Sequence, residues 1–146
     1  MEIRNFTAQD YDAAYSLWMR TPGMGLNDID DSRAGIEKYL KRNPRTAFVA
    51  LEGGGIVGVI MAGHDGRRGF IHHTCVAEEA RHRGIGTRLV DTALKALKNE
   101  GINKVALVVF ERNEGGNAFW EHMGFTARPD LNYRNRALVD LSRIDT

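Results

Sequence analysis

The stretch "RHRGIG", Arg81 to Gly86, sets three basic side chains and two glycines directly before a long amphipathic run. The first main-chain N–H groups of a helix lack intrahelical partners and the helix dipole is positive there, so a diphosphate is a natural ligand for such a place. Gly84 and Gly86 let it reach the backbone with no Cβ in the way, while Arg81, His82 and Arg83 add positive charge and Ile85 turns inward. A tight turn without a ligand is the competing explanation. Two other phosphate motifs are excluded, because neither G-x-x-x-x-G-K-[ST] nor the third glycine of a dinucleotide fingerprint is present.

Acid and base groups lie nearby in the chain. In "FIHHTCV" strand alternation predicts Phe70, His72 and Thr74 on one face and Ile71, His73 and Cys75 on the other, so one histidine should face a substrate. A histidine's ordinary pKa of about 6.5 suits a base at neutral pH, and a packed histidine pair is the structural alternative. Glu111, at the end of the next strand, is the alternative base. Asn27, Asp28, Asp30 and Asp31 cluster in "NDIDD", where carboxylates would attract a cationic amine; Asp30 and Asp31 would equally suit the start of the following helix. No metal is called for.

The elements that must position these groups follow from periodicity. "MEIRNF" reads as a strand, "TAQDYDAAYSLWMRT" as a helix with Thr7 as N-cap, "PGMGLNDIDD" as a loop, and "SRAGIEKYLKRN" as a helix with Ser32 as N-cap. "TAFVAL", "EGGG" and "IVGVIMAGH" form a hairpin pattern, and "GFIHHTCV" is a further strand. A helix runs from Gly84 to about Asn99 and stops at Gly101, followed by a buried strand in "KVALVVFE", a short helix in "NEGGNAFWEHMGF" and a last strand in "ALVDL". The layout predicts one α/β domain over 1–146, with a mixed sheet, antiparallel in its first half, and helices on its faces.

Composition bounds the function classes. A chain of 146 residues is 42% hydrophobic and 27% charged with formal net charge +1, which is no electrostatic footprint for nucleic acid. No apolar run reaches the roughly 18 residues of a membrane span. The charged opening "MEIRNFTAQDYD" and the single Cys75 predict a cytoplasmic protein with no internal disulfide.

Two motifs carry a resemblance. Arg81, Gly84 and Gly86 after Val76 match the pyrophosphate loop [QR]-x-x-G-x-[GA] of the GNAT superfamily of N-acetyltransferases, which use acetyl-coenzyme A. Asn113, Phe119, Trp120, Gly124 and Phe125 fall at the positions of that family's N-x-x-A-x-x-[FL]-Y-x-x-x-G-F. The chain resembles that superfamily over most of its length, and "MEIR" and "GHDGRRG" further resemble its small bacterial members of the YpeA type. The resemblance implies a mostly antiparallel sheet splayed between the fourth and fifth strands, flanked by about four helices.

It also implies roles. Thr74, Cys75 and Val76 would hold the pantetheine arm and the thioester carbonyl, and the amides from His82 to Thr87 the diphosphate. Asn113 and Trp120 would line the cofactor. His72, four residues before Val76, stands where arylalkylamine N-acetyltransferases place a working histidine. The loop bearing Asn27, Asp28, Asp30 and Asp31 stands where the fold builds its acceptor site for a primary amine of a small molecule or peptide. A homodimer is compatible with the fold. Trp120 departs from the usual tyrosine, and an indole N–H does not protonate a departing thiolate near neutral pH. A non-catalytic acyl-coenzyme A binding module is the rival reading.

Overall fold

The computed structural model describes residues 1 to 144. Five strands form one sheet in chain order: β1 (Glu2–Asn5), β2 (Phe48–Glu52), β3 (Gly55–His64), β4 (Gly69–Val76) and β5 (Val105–Leu107). The pairings are antiparallel except that of β4 with β5, which is parallel. Four α-helices accompany them among the described residues: α1 (Tyr11–Met19), α2 (Arg33–Arg42), α3 (Ile85–Asn99) and α4 (Glu114–His122).

Local chemistry sets the ends. Thr7 heads a 3-10 turn, Ala8–Asp10, in which Thr7 N–H donates to Asp10 Oδ2 at 2.9 Å, and α1 follows directly. Ser32 Oγ accepts from Gly35 N–H at 3.1 Å and so caps α2. Gly101, at φ +84°, ends α3, and Ile102 N–H then reaches back to Leu97 O at 3.1 Å, satisfying a terminal carbonyl.

The two faces of β3 show where the helices sit. A Cβ on Gly58 would stand 2.8 Å from Leu89 Cδ1 of α3, whereas one on Gly63 would stand 2.5 Å from the Tyr39 hydroxyl of α2. So α3 covers one face and α1 with α2 the other. Leu89, Val90, Ala93 and Leu97 of α3 and Ala14, Leu17 and Trp18 of α1 are fully enclosed between these layers. Each buried leucine contributes roughly 1.5–3 kcal/mol of transfer free energy.

Strand β4 is bulged. Ile60 pairs with Thr74 but Ala62 with Ile71, which leaves His72 and His73 together opposite Met61. This corrects the alternation predicted from sequence: both histidines face the α1/α2 layer. The ring of His72 meets Tyr39 of α2, and that of His73 meets Trp18 of α1.

Pairing of β5 with β4 covers only Gly69 to Ile71 against Val105 to Leu107. His72 to Val76 have no partner on that side, so the sheet opens there. Two further expectations are corrected. The strand read in "KVALVVFE" is three residues long and half-buried, with Val108 already exposed. No strand forms in "ALVDL", where Leu138, Val139 and Leu141 are exposed.

Candidate active site

The opening between β4 and β5 is continuous with a groove of about 640 Å³. One wall is the end of β4, Thr74 to Val76, and the turn after it. The far wall is the start of α4, with Asn113, Gly116, Phe119 and Trp120, and the loop after α1, Thr21 to Met24, closes one end.

The head of α3 is built for main-chain contact. His82 takes φ +64° and Gly84 φ +78°, a left-handed geometry that L side chains rarely adopt. A non-glycine residue held there marks local strain of the kind that collects at ligand clamps. Gly84 is the N-cap, and a Cβ built on it meets no atom within 4 Å, so its glycine serves the backbone geometry and leaves clear space above. A Cβ on Gly86 would touch the Phe119 ring at 3.4 Å, which fixes how closely α4 approaches α3. Ile85 is buried and anchors the turn below.

Most of the residues proposed from sequence to hold a cofactor line this one groove: Thr74, Cys75, Val76, Arg81, His82, Gly84, Ile85, Gly86, Thr87, Asn113 and Trp120. Arg81 Nε donates to Val76 O at 3.0 Å and braces the loop. Arg83 does not line the groove; its guanidinium pairs with Glu52 at the end of β2. Asn113 Oδ1 accepts from Gly116 N–H at 2.9 Å, so this side chain caps α4. Trp120 packs edge-on against Phe119 and Phe125 at 5.1 and 5.2 Å between ring centroids. Burial pushes the Cys75 thiol up to about 12, which keeps it protonated and leaves its main chain as the relevant part. Sequence reasoning missed Thr21 to Met24 as a groove wall; Pro22 and Gly23 read only as loop formers.

On the α1/α2 side, Asp31 is buried at 4% exposure and accepts from His73 Nε2 at 2.6 Å and from Asn27 N–H at 2.8 Å. Asn27 Oδ1 in turn accepts from Ile29 and Asp30 N–H at 3.0 and 2.7 Å, and its amide donates to Asp30 Oδ2 at 3.0 Å. Asp28 Oδ1 accepts from Ser142 N–H at 2.7 Å. The cluster thus organises its own loop.

His72 lies between Phe70 and Tyr39, with ring centroids 4.7 and 5.7 Å away. Although the residue is exposed overall, desolvation of the ring beside these aromatics, and then the neighbouring His73, lower its pKa. Glu111 is exposed in the turn beyond β5 and does not line the groove. Phe110, beside it, closes the end of the opening: Cβ atoms on Gly23 and Gly25 would lie 3.8 and 3.9 Å from its ring, and Arg112 and Arg143 stack over it at 4.4 and 5.3 Å.

A mixed sheet opened between two parallel strands, with a glycine-headed helix at the opening, is an acetyltransferase fold. It is shared with Ard1 from Thermoplasma volcanium, at TM-score 0.76 and 23% identity over 86% of this chain and 82% of that one. The PaiA N-acetyltransferase of Thermoplasma acidophilum, solved in complex with coenzyme A, shares it at TM-score 0.73 and 20% identity over 87% and 90% of the two chains. The chain belongs to the Acetyltransferase (GNAT) family, whose pattern residues 11 to 125 match. An acetyltransferase of Pectobacterium atrosepticum is 32% identical over 96% of this chain and 98% of its own. The protein is therefore an acetyltransferase. No helix among the described residues is long and apolar enough to cross a membrane.

Proposed function

We propose that this protein transfers the acetyl group of acetyl-coenzyme A to a primary amine by direct attack. The observation that carries the reading is the single groove joining the left-handed turn at His82 and Gly84 to the unpaired end of β4. A diphosphate fits the head of α3, where the clear space above Gly84 admits it and the helix dipole favours it. A pantetheine arm fits along Thr74 to Val76, where the missing β5 partner leaves that side of the strand open to it, with Trp120 beneath. Main-chain donors at this end of β4 would polarise the thioester carbonyl and stabilise negative charge on its oxygen.

The acceptor enters from the other face, between the loop after α1 and the bulge of β4. An alkyl ammonium titrates near about 10.4 and attacks only after losing a proton. His72 is the base in this proposal, since its lowered pKa keeps the imidazole neutral and able to accept. The departing thiolate, whose parent thiol has a pKa of about 8.5, leaves without an acid from the Trp120 position or takes a proton from water. The polar cluster of Asn27 with Asp28, Asp30 and Asp31 shapes the acceptor side by holding the loop in place.

The reading is tested by calorimetry with acetyl-coenzyme A and desulfo-coenzyme A, followed by release of free thiol with a panel of primary amines. Binding with amine-dependent thiol release supports it. Binding with no turnover on any amine favours a module that only holds the acyl-coenzyme A.

A further inference from the structure

A second cavity, of about 400 Å³, adjoins the groove: Pro22, Gly23 and Asn113 line both, and Phe110 and Arg112 complete it. That volume is in the range of small-ligand pockets. The Arg112 guanidinium lies over the Phe110 ring at 4.4 Å and that of Arg143 at 5.3 Å, so one aromatic ring seats two positive charges. Among the described residues no acidic side chain lines this cavity, and Arg112 takes part in no ion pair. Glu111 and Glu114, its neighbours along the chain, are exposed and line neither space.

The carboxylates of the loop between α1 and α2 are by contrast committed. Asp31 accepts from His73 and from Asn27 N–H, Asp30 from the Asn27 amide, and Asp28 from Ser142 N–H. A cationic substrate group would have to displace those hydrogen bonds. The cationic wall belongs to the acceptor side as well: Arg143, over Phe110, pairs with Asn27 in an antiparallel bridge, and Pro22 and Gly23 come from the loop after α1. No residue of the α3 head lines the cavity, so it is separate from the place that suits the diphosphate.

We propose that this cavity takes a carboxylate borne by the acceptor, held by Arg112 over Phe110, so that the amine acetylated belongs to the amino-acid class and not to the polyamines. The inference rests on the acyl transfer proposed above and names its substrate class. An acceptor whose amine stands over the end of β4 reaches the cavity along Pro22 and Gly23, which line both spaces. Contact with a ring face leaves the N–H donors of a guanidinium unspent, and its planar fork offers a carboxylate two parallel hydrogen bonds. The second guanidinium, from Arg143, adds positive charge at the same ring. A site built this way discriminates against the uncharged analogue, which would leave the fork unpaired.

Thiol release from acetyl-coenzyme A is measured for the wild type and Arg112→Gln with L-amino acids, each paired with its carboxamide, which keeps the amine and removes the charge. The wild type is expected to favour the carboxylate member in kcat/KM by roughly ten- to a hundredfold, the worth of a charge-assisted hydrogen bond. Arg112→Gln is expected to erase that preference through KM, with the carboxamides and the circular dichroism spectrum unchanged. Comparing variant with wild type cancels the different amine pKa of the two members. Equal rates for both members, or a preference that survives Arg112→Gln, overturn the proposal. Calorimetry with coenzyme A and dephospho-coenzyme A tests the other source of an oxyanion. If Arg112→Gln weakens the first and not the second, the cavity holds the cofactor's 3′-phosphate and the proposal falls. If no amine is turned over, the transfer reading fails by itself, and binding of N-acetylated amino acids by chemical-shift titration decides the site. Weaker binding to Arg112→Gln than to wild type then supports the carboxylate site, and equal binding overturns it.

Discussion

His73 Nε2 lies 2.6 Å from Asp31 Oδ1, and this contact ties the bulge of β4 to the loop between α1 and α2. Both side chains are largely enclosed, and the Trp18 ring stands edge-on to the imidazole at 5.1 Å. Asp31→Ala would strand both His73 and the Asn27 N–H, each buried donor costing about 1–3 kcal/mol when left unmade. The expected result is a loss of about 2–3 kcal/mol, read as a lower urea midpoint at unchanged slope.

In the proposed reaction His72 is the base, while His73 is held by Asp31. His72→Ala is expected to lower turnover by about 10²–10⁴-fold, the usual worth of a positioned base, with acetyl-coenzyme A affinity retained. Since its folded pKa is lowered from 6.5, the wild-type rate should hold as pH falls to that value and decline only below it. Turnover that survives His72→Ala with the same pH profile would remove His72 from the mechanism.

Two glycines should separate binding from folding. Gly84→Ala puts a methyl into clear space at φ +78°, at a cost of roughly 1 kcal/mol in stability, and it obstructs the approach to the helix head. Weaker acetyl-coenzyme A binding by calorimetry, with modest unfolding effects, is the expected outcome. Gly58→Ala instead drives a Cβ to 2.8 Å from Leu89 Cδ1, so stability should fall by about 1–3 kcal/mol through overpacking.

Acid unfolding should respond to Asp10. Burial alone raises its carboxyl pKa, but the Arg4 fork at 2.8 and 2.9 Å and the Thr7 N–H outweigh that, and the pKa ends below the usual 3.8. A folded pKa below the unfolded one contributes stability that is present above 3.8 and lost as pH falls through the folded value. Asp10→Asn is expected to flatten that acid limb in a stability-versus-pH series and to lower stability at neutral pH.

Much of this was legible along the chain because it is local. The cap at Ser32, the glycine at the head of α3 and the stop at Gly101 depend on residues within a few positions, where backbone geometry and one or two hydrogen bonds decide. The strand "GFIHHTCV" and the end of α3 at Asn99 follow from the same short-range patterns. The histidine faces were not legible, because strand alternation holds only until a bulge, and this bulge is set by the register of β3 against β4. The fate of "ALVDL" was not legible either, since strand propensity names a strand but not its partner.

The sequence by itself determined most of the elements, the glycine-headed helix and the presence of two histidines on the strand before it, all consequences of side-chain type and spacing. Only the tertiary structure decided that both histidines look toward α1 and α2. Folding likewise took Asp31 out of solvent to hold His73, turned Arg83 away to Glu52, and left β5 too short to close the sheet. These outcomes depend on which distant segments pack together. Burial and pairing energies are settled between elements, and no local pattern carries them.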